Sequence, residues 1–310
     1  MATTLFTSSG NVFRGNLHGH STHSDGQNSP QQVVQLYREA GYDFTCLSEH
    51  YWTDPRFAAP TIIDATEFDG PDFITVISAE LHCPGKAYDR DGLWHILANG
   101  LPVDFAMADD SETGPQLVAR AVAAGAYVTI AHPEWHHLTD DEAHSLAQAG
   151  AHGVEIYNHS SAIGAARGGG IAALDLLLHK GHRLHLTATD DSHHVPDDGF
   201  GGWVMVAAAR LAAVDIVAAL KAGRFYASTG PSFTDIVLDG TTLHVGTSPV
   251  DRVVLAADNH QALYVAGSDL TTARFDLDTL DSSFIRVVAI DAQGRCAWSN
   301  PYWTETIHRQ

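Results

Sequence analysis

Between residues 29 and 228 the chain repeats one unit: a helical segment, a glycine that stops it, a short apolar run, and then a histidine or a carboxylate. Ser29 as N-cap and Pro30 at the first helical position open a helix that Gly41 ends, and Asp43 to Leu47 reads as a buried strand leading to His50. Gln116 to Ala124 stops at Gly125, and Tyr127 to Ala131 runs into His132. Glu142 to Ala149 stops at Gly150 before the run Gly153 to Tyr157, and Ile171 to Lys180 stops at Gly181 before Arg183 to Thr189 and Asp191. Such alternation predicts a parallel sheet with right-handed crossovers. About six or seven units fit before residue 228, so the expected fold class is α/β, an incomplete or distorted barrel.

After a last helix, Val214 to Ala222, the periodicity changes. Phe233 to Leu238, a turn at Asp239-Gly240 and Thr242 to Val245 read as one hairpin; Phe284 to Ile290, a turn at Gln293-Gly294 and Cys296 to Trp298 read as another. The expected division is therefore an α/β unit over residues 1–228 and a small all-β unit over 229–310.

Composition removes several classes of function. With 37 acidic residues against 17 basic ones the net charge is −20, which repels a nucleic-acid backbone, so no long polynucleotide partner is expected. Cys46, Cys83 and Cys296 are scattered, which argues against a disulfide framework or a thiolate metal site. No apolar run reaches the ~18 residues a membrane span needs, and the N-terminus lacks a leader pattern; no membrane partner and a cytoplasmic location are expected.

What remains is a donor set: His18, His20, Asp25, His50, Glu80, His95, His132, Asp191 and His193. The chain has 20 histidines, so their number decides nothing; their position does. They follow or lie near strand ends, where α/β folds gather their active sites. Two histidines one residue apart, His18 and His20, point the same way, and imidazole with carboxylate suits Mn, Zn or Fe. The expectation is a pocket with two or three divalent metal ions and a small, anionic substrate. His23 is an alternative to Asp25, and His82 to His95. Glu155 reads equally as support for the pocket or as an ordinary buried partner, and Tyr51 and Trp52 as a pocket wall or as packing.

The segments LHGHSTHSDG (17–26), LSEHYW (47–52), ISAELH (77–82), WHILANG (94–100), IAHPEW (130–135), VEIYNH (154–159) and TATDDSHH (187–194) resemble, in order and spacing, the successive motifs of the PHP (polymerase and histidinol phosphatase) superfamily. The resemblance covers about residues 12–228 and implies a distorted (β/α)7 barrel with up to three metals. Carried over residue by residue, it implies one metal on His18, His20, Glu80 and Asp191, a second on Glu80, His95 and His132, and a third on Asp25, His50 and His193. Glu49 departs from the pattern, which has Asp before the second-motif histidine. The tail segments GWVMVAAARL (202–211), ALKAGRFYASTGP (219–231) and AIDAQGRCAWSNPYW (289–303) resemble a subgroup with a C-terminal β domain grouped with carbaryl hydrolase-like metallohydrolases.

These readings imply a metal-dependent hydrolase, first a phosphoesterase acting on a small monoester such as a nucleotide or sugar phosphate. Glu80 and Asp191 serve the reaction through the metals; Arg167, in GAARGGG, is the candidate anion grip, and His194 the candidate proton donor to the leaving oxygen. The alternative is a carbamate, carboxylic ester or amide hydrolase, favoured by the subgroup resemblance and by the scarcity of Lys and Arg near the motifs. A non-catalytic metal-binding module is the third reading; structural sites are usually closed and tetrahedral, unlike this one.

Overall fold

The computed structural model describes residues 2–307. Its first part runs β1 (Thr3–Thr7), β2 (Val12–Asn16), α1 (Pro30–Glu39), β3 (Phe44–Leu47), β4 (His50–Tyr51), β5 (Ile74–Pro84), β6 (Leu93–Asn99), α2 (Gly114–Ala123) and β7 (Tyr127–Ile130). It continues with α3 (Asp140–Gln148), β8 (Gly153–Asn158), α4 (His159–Ala165), α5 (Ile171–His179), β9 (His185–Thr189), β10 (Trp203–Ala207), α6 (Ala213–Lys221) and β11 (Phe225–Ser228). The tail holds β12 (Phe233–Asp239), β13 (Thr242–Ala257), β14 (Ala262–Asp276), β15 (Phe284–Ile290), β16 (Cys296–Ser299), β17 (Tyr302–Trp303) and α7 (Thr304–Ile307).

The helix signals act as read. Ser29 and Gln32 form a reciprocal capping box on α1 with Pro30 in its first turn, and Thr139 and Glu142 do the same on α3. The glycines after α1, α2, α3, α5 and α6 all have positive φ, the backbone that ends a helix at least cost. Val33, Val34 and Tyr37 form the buried face of α1. Leu117, Leu146 and Leu174, from α2, α3 and α5, pack with Ile130 and Val154 of the sheet in one core, each leucine contributing about 1.5–3 kcal/mol.

The sheet is mixed, which corrects the expectation of an all-parallel one. β2, β3 and β5 pair in parallel, as do β7, β8 and β9. Between these groups β6 runs antiparallel to both β5 and β7. Its direction follows from chain length: residues 85–92 are too few for the crossover that a parallel return requires. β10 is antiparallel to β2 and to β11. The ring expected of a barrel is not closed by a ladder. Among the described residues β9 and β2 meet only past their ends, at the Gly19–Ser192 bridge, where Asp191 N donates to His18 O and His20 N to Ser192 O at 2.8 Å.

The same sheet passes through β11 and β16 into the tail strands. There Ile236, Leu243, Val253, Leu255 and Val287 form a second core. β1 pairs with β12 and adds Phe6 to that core, so the first strand packs with the tail. Arg286 of β15 reaches Asp175 of α5 at 3.0 Å, tying the two cores together. No described helix is long and apolar enough to cross a membrane.

Candidate metal centre

Strand register places the donors. β4 pairs with β5 so that His50 lies beside Glu80. Glu80 and His82, two residues apart, project from one face of β5, and His95 on β6 is the cross-strand partner of His82. His18 and His20 follow β2 on either side of Gly19, whose bridge to Ser192 brings them against Asp191 and His193. His132 leaves β7 with φ 21° and Asp191 leaves β9 with φ 53°. Backbone of this kind costs a non-glycine residue about 1–3 kcal/mol and persists where its surroundings hold it, commonly in active sites.

Glu80 is the hub. Its Oε1 lies 2.8 Å from His95 Nδ1 and 3.0 Å from His132 Nε2. Its Oε2 lies 2.6 Å from His50 Nδ1, with His18 Nε2 and His20 Nε2 at 3.6 and 3.7 Å. Asp191 Oδ1 stands 2.9 Å from His20 Nε2 and 3.1 Å from His18 Nε2. Asp25 Oδ1 is 3.5 Å from both His50 Nε2 and His193 Nε2. All nine expected donors thus meet, in overlapping groups whose ligand atoms lie within 4.8 Å of one another: His18, His20 and Glu80; His18, His132 and Asp191; Glu80, His95 and His132; and His20, Asp25, His50 and His193. His82 joins as well, its Nε2 2.9 Å from His50 Nδ1, whereas His23 turns away to Thr61 O.

The donor set fits divalent cations. His18 Nε2 and Glu80 Oε2, which face the other donors, are buried without a well-aligned hydrogen bond, a cost that a coordinated ion removes. Burial alone would raise the Glu80 carboxyl, but the fields of His50, His95 and His82 outweigh it and hold it well below its ordinary range. Burial opposes the charge on Asp191 too, and His18 and His20 overcome it. His18, despite burial, is raised by Asp191 and Glu155; His50, despite burial, is pushed up to about 9 chiefly by Glu80. His20 is lowered by burial and by its neighbours His50 and His193. The carboxylates therefore hold protons on His18 and His50 in the places that cations compete for.

A layer behind the donors fixes their orientation. Fully buried Glu155 accepts from His18 Nδ1 at 2.8 Å, from His132 N at 2.7 Å, from Thr189 Oγ1 at 2.8 Å and from Asn158 Nδ2 at 3.2 Å. Asn158 also donates to Asp191 Oδ2 at 3.1 Å. Asp190 points the other way, as alternation along a strand predicts, and accepts from Tyr37 Oη and from the N–H groups of Phe200, Gly201 and Gly202. Glu49 also turns from the donors: it accepts from Ser21 and Ser24 and so fastens the loop that presents Asp25.

A cavity of about 380 Å³ opens over the donors, in the range of small-molecule sites. Asp25, His50, His95, His132, Asp191 and His193 face it from the floor; Phe57, Leu93, Trp135, Asp89 and Asp91 form much of its wall. Two expected residues stand outside. Arg167 is exposed, its Nη1 3.3 Å from His137 Nε2, and His194 is exposed with Nδ1 3.3 Å from Asp197 Oδ2; neither lines the cavity. Tyr51 and Trp52 pack into the core, and Phe57, in the loop after them, takes the wall position. Sequence reading missed Phe57, Asp89 and Trp135 because loop residues with no periodicity carry no directional signal.

No family model matches the sequence, and no curated protein matches it. Among solved structures, a two-domain protein from Bacteroides vulgatus, described as containing a predicted PHP-like metal-dependent phosphoesterase, superposes with a TM-score of 0.55 at 17% identity, covering 93% of this chain and 92% of that one. The chain has a PHP-like fold. Two further likenesses are partial: a protein from Bifidobacterium adolescentis assigned as a metal-dependent phosphoesterase (16% identity, 58% of this chain and 87% of that one, TM-score 0.43) and an amidohydrolase from Chromobacterium violaceum with bound sulfate and no metal (14%, 59% and 89%, 0.44).

Proposed function

We propose that this chain is a metal-dependent hydrolase of a small phosphate monoester. The reading includes a distorted-barrel PHP unit over residues 1–228 and a β domain over 229–310 that recruits strand β1. Its main support is the Glu80 carboxylate, fully buried, shared between His95 and His132 on one oxygen and His50 on the other, beneath an open cavity. His18, His20, Glu80 and Asp191 would hold one ion, Glu80, His95 and His132 a second, and Asp25, His50 and His193 a third. Divalent ions there lower the pKa of bound water toward neutrality and offset charge on the oxygens of an ester.

The chain's own residues set the orientation. Glu155, by accepting from His18 Nδ1, turns Nε2 to the centre, where an ion would take the place of its proton. Asn158 holds Asp191 in its strained backbone conformation from the outer oxygen. Charge balance then selects the substrate. Three divalent ions against the carboxylates of Asp25, Glu80 and Asp191 leave a strongly positive floor, matched to a phosphate dianion, whereas two ions leave it close to neutral. Release of inorganic phosphate from a panel of small monoesters with Mn, Zn or Fe, lost in Asp191→Ala, tests the reading; no turnover of any phosphate ends it.

A second reading, hydrolysis of a carbamate, carboxylic ester or amide, is favoured by one observation: among the described residues no Lys or Arg lines the cavity. It predicts aryl ester turnover exceeding aryl phosphate turnover by orders of magnitude, and the reverse ratio removes it.

A further inference from the structure

The wall of the cavity differs in chemistry from its floor. Trp135 lies against two donor histidines, its ring 5.2 Å from His132 and 5.5 Å from His95, yet it is 39% exposed. Phe57 stands edge-on to His50 at 5.5 Å. Leu93 completes the apolar wall, and all three line the cavity. Apolar side chains grouped on one wall of a cavity, unlike single exposed ones, mark a surface suited to an apolar ligand group. Two more exposed apolar residues are chain neighbours of lining residues: Tyr88, 77% exposed, precedes Asp89, and Ile163, 57% exposed, precedes Gly164 and Ala165.

The rim also excludes charge of one sign. Among the described residues that line the cavity, Asp89 and Asp91 are the charged side chains of the wall and none is Lys or Arg. A second anionic group on the substrate, held against this wall, would meet two carboxylates and an indole among the lining side chains.

We propose that the substrate's non-reacting part is apolar and carries no second anionic group, and that Trp135 selects for it. This narrows the phosphate monoester reading, on which it rests, away from bisphosphates and nucleoside polyphosphates and toward the ester of an alcohol with an apolar or aromatic face. Trp135 contributes through substrate binding: its indole packs on His132 and His95 and offers its exposed remainder to the cavity.

The test uses the full chain loaded with Mn and three phosphonates that cannot be hydrolysed: 3-phenylpropyl-, 3-hydroxypropyl- and 3-carboxypropylphosphonate. Calorimetry should show the phenyl compound binding about tenfold or more tightly than the hydroxyl compound, and the carboxylate weakest. Trp135→Ala and Trp135→Gln, compared with the native chain at equal metal content measured on the same samples, should each erase most of that preference. Equal binding of the three, tighter binding of the carboxylate, or a uniform loss in both variants overturns the proposal. The matching phosphate esters then separate the two claims. Preferential binding without any phosphate release ends the phosphoesterase reading alone, release without preference ends this inference alone, and the absence of both ends both.

Discussion

Glu155→Gln should cost metal affinity with little change in shape. In the native chain the two carboxylate oxygens divide four donors: Oε1 takes His18 Nδ1 and Thr189 Oγ1, and Oε2 takes His132 N and Asn158 Nδ2. A glutamine has one oxygen and one NH2 for these four positions. The backbone N–H of His132 and the amide of Asn158 can only donate there, so the oxygen must face them. The NH2 then faces His18 and Thr189, both of which can accept. With a donor facing Nδ1, His18 keeps its remaining proton on Nε2, the nitrogen that faces the centre 3.1 Å from Asp191 Oδ1. Losing a carboxylate behind a metal-binding histidine typically weakens binding about 10- to 100-fold, or about 1.4–2.7 kcal/mol. Competition with a fluorescent chelator, with ion stoichiometry measured on the same sample, should show that loss for at least one ion, while circular dichroism stays native. A Glu155→Gln chain that binds its ions as tightly as the native one would refute the tautomer argument, because a ligand nitrogen bearing a proton cannot coordinate.

The pH response should reverse when the metals are stripped. Raised bases such as His18 and His50 give stability that is fully present below their ordinary value of 6.5 and is lost as pH climbs through the folded value, about 9 for His50. Thermal melts of chelator-treated protein should therefore fall from about pH 6.5 to 9, whereas melts with excess metal should rise as the ligands lose protons; parallel curves contradict this. Arg167→Ala should change kcat/KM less than about twofold, since its guanidinium sits at the surface beside His137; a drop of about tenfold or more in steady-state assays means it reaches substrate after all. Lys86, with its side chain fully buried and Nζ 3.0 Å from Glu142, anchors the loop that carries Asp89 and Asp91. Lys86→Met should cost about 3 kcal/mol in urea unfolding and open residues 85–92 to proteolysis, and an unchanged unfolding midpoint speaks against that anchor.

The parts of this molecule legible in its sequence are those where local chemistry and tertiary demand agree. Gly41, Gly125, Gly150, Gly181 and Gly223 end helices both because their composition permits positive φ and because the next strand must turn back onto the sheet. His18, Asp191 and His132 were readable because a donor just past an apolar run has one place to go in an α/β fold. The readings weakened where pairing is non-local. The direction of β6 depends on the length of the loop before it, which hydrophobic period alone does not encode. Of the long hairpin of β13 and β14 the sequence marks only Thr242 to Val245, as the partner of Phe233 to Leu238; beyond that point the pairing shifts register around Val250 and much of β14 is exposed, so no clean alternation marks it. The same distinction separates Glu155 from Arg167. Glu155 lies in a buried strand whose alternation aims it at the donors, whereas Arg167 follows α4 in an exposed loop, where residue type suggests a role but nothing in the sequence sets direction. Position on a regular element predicts where a side chain points; residue type by itself does not.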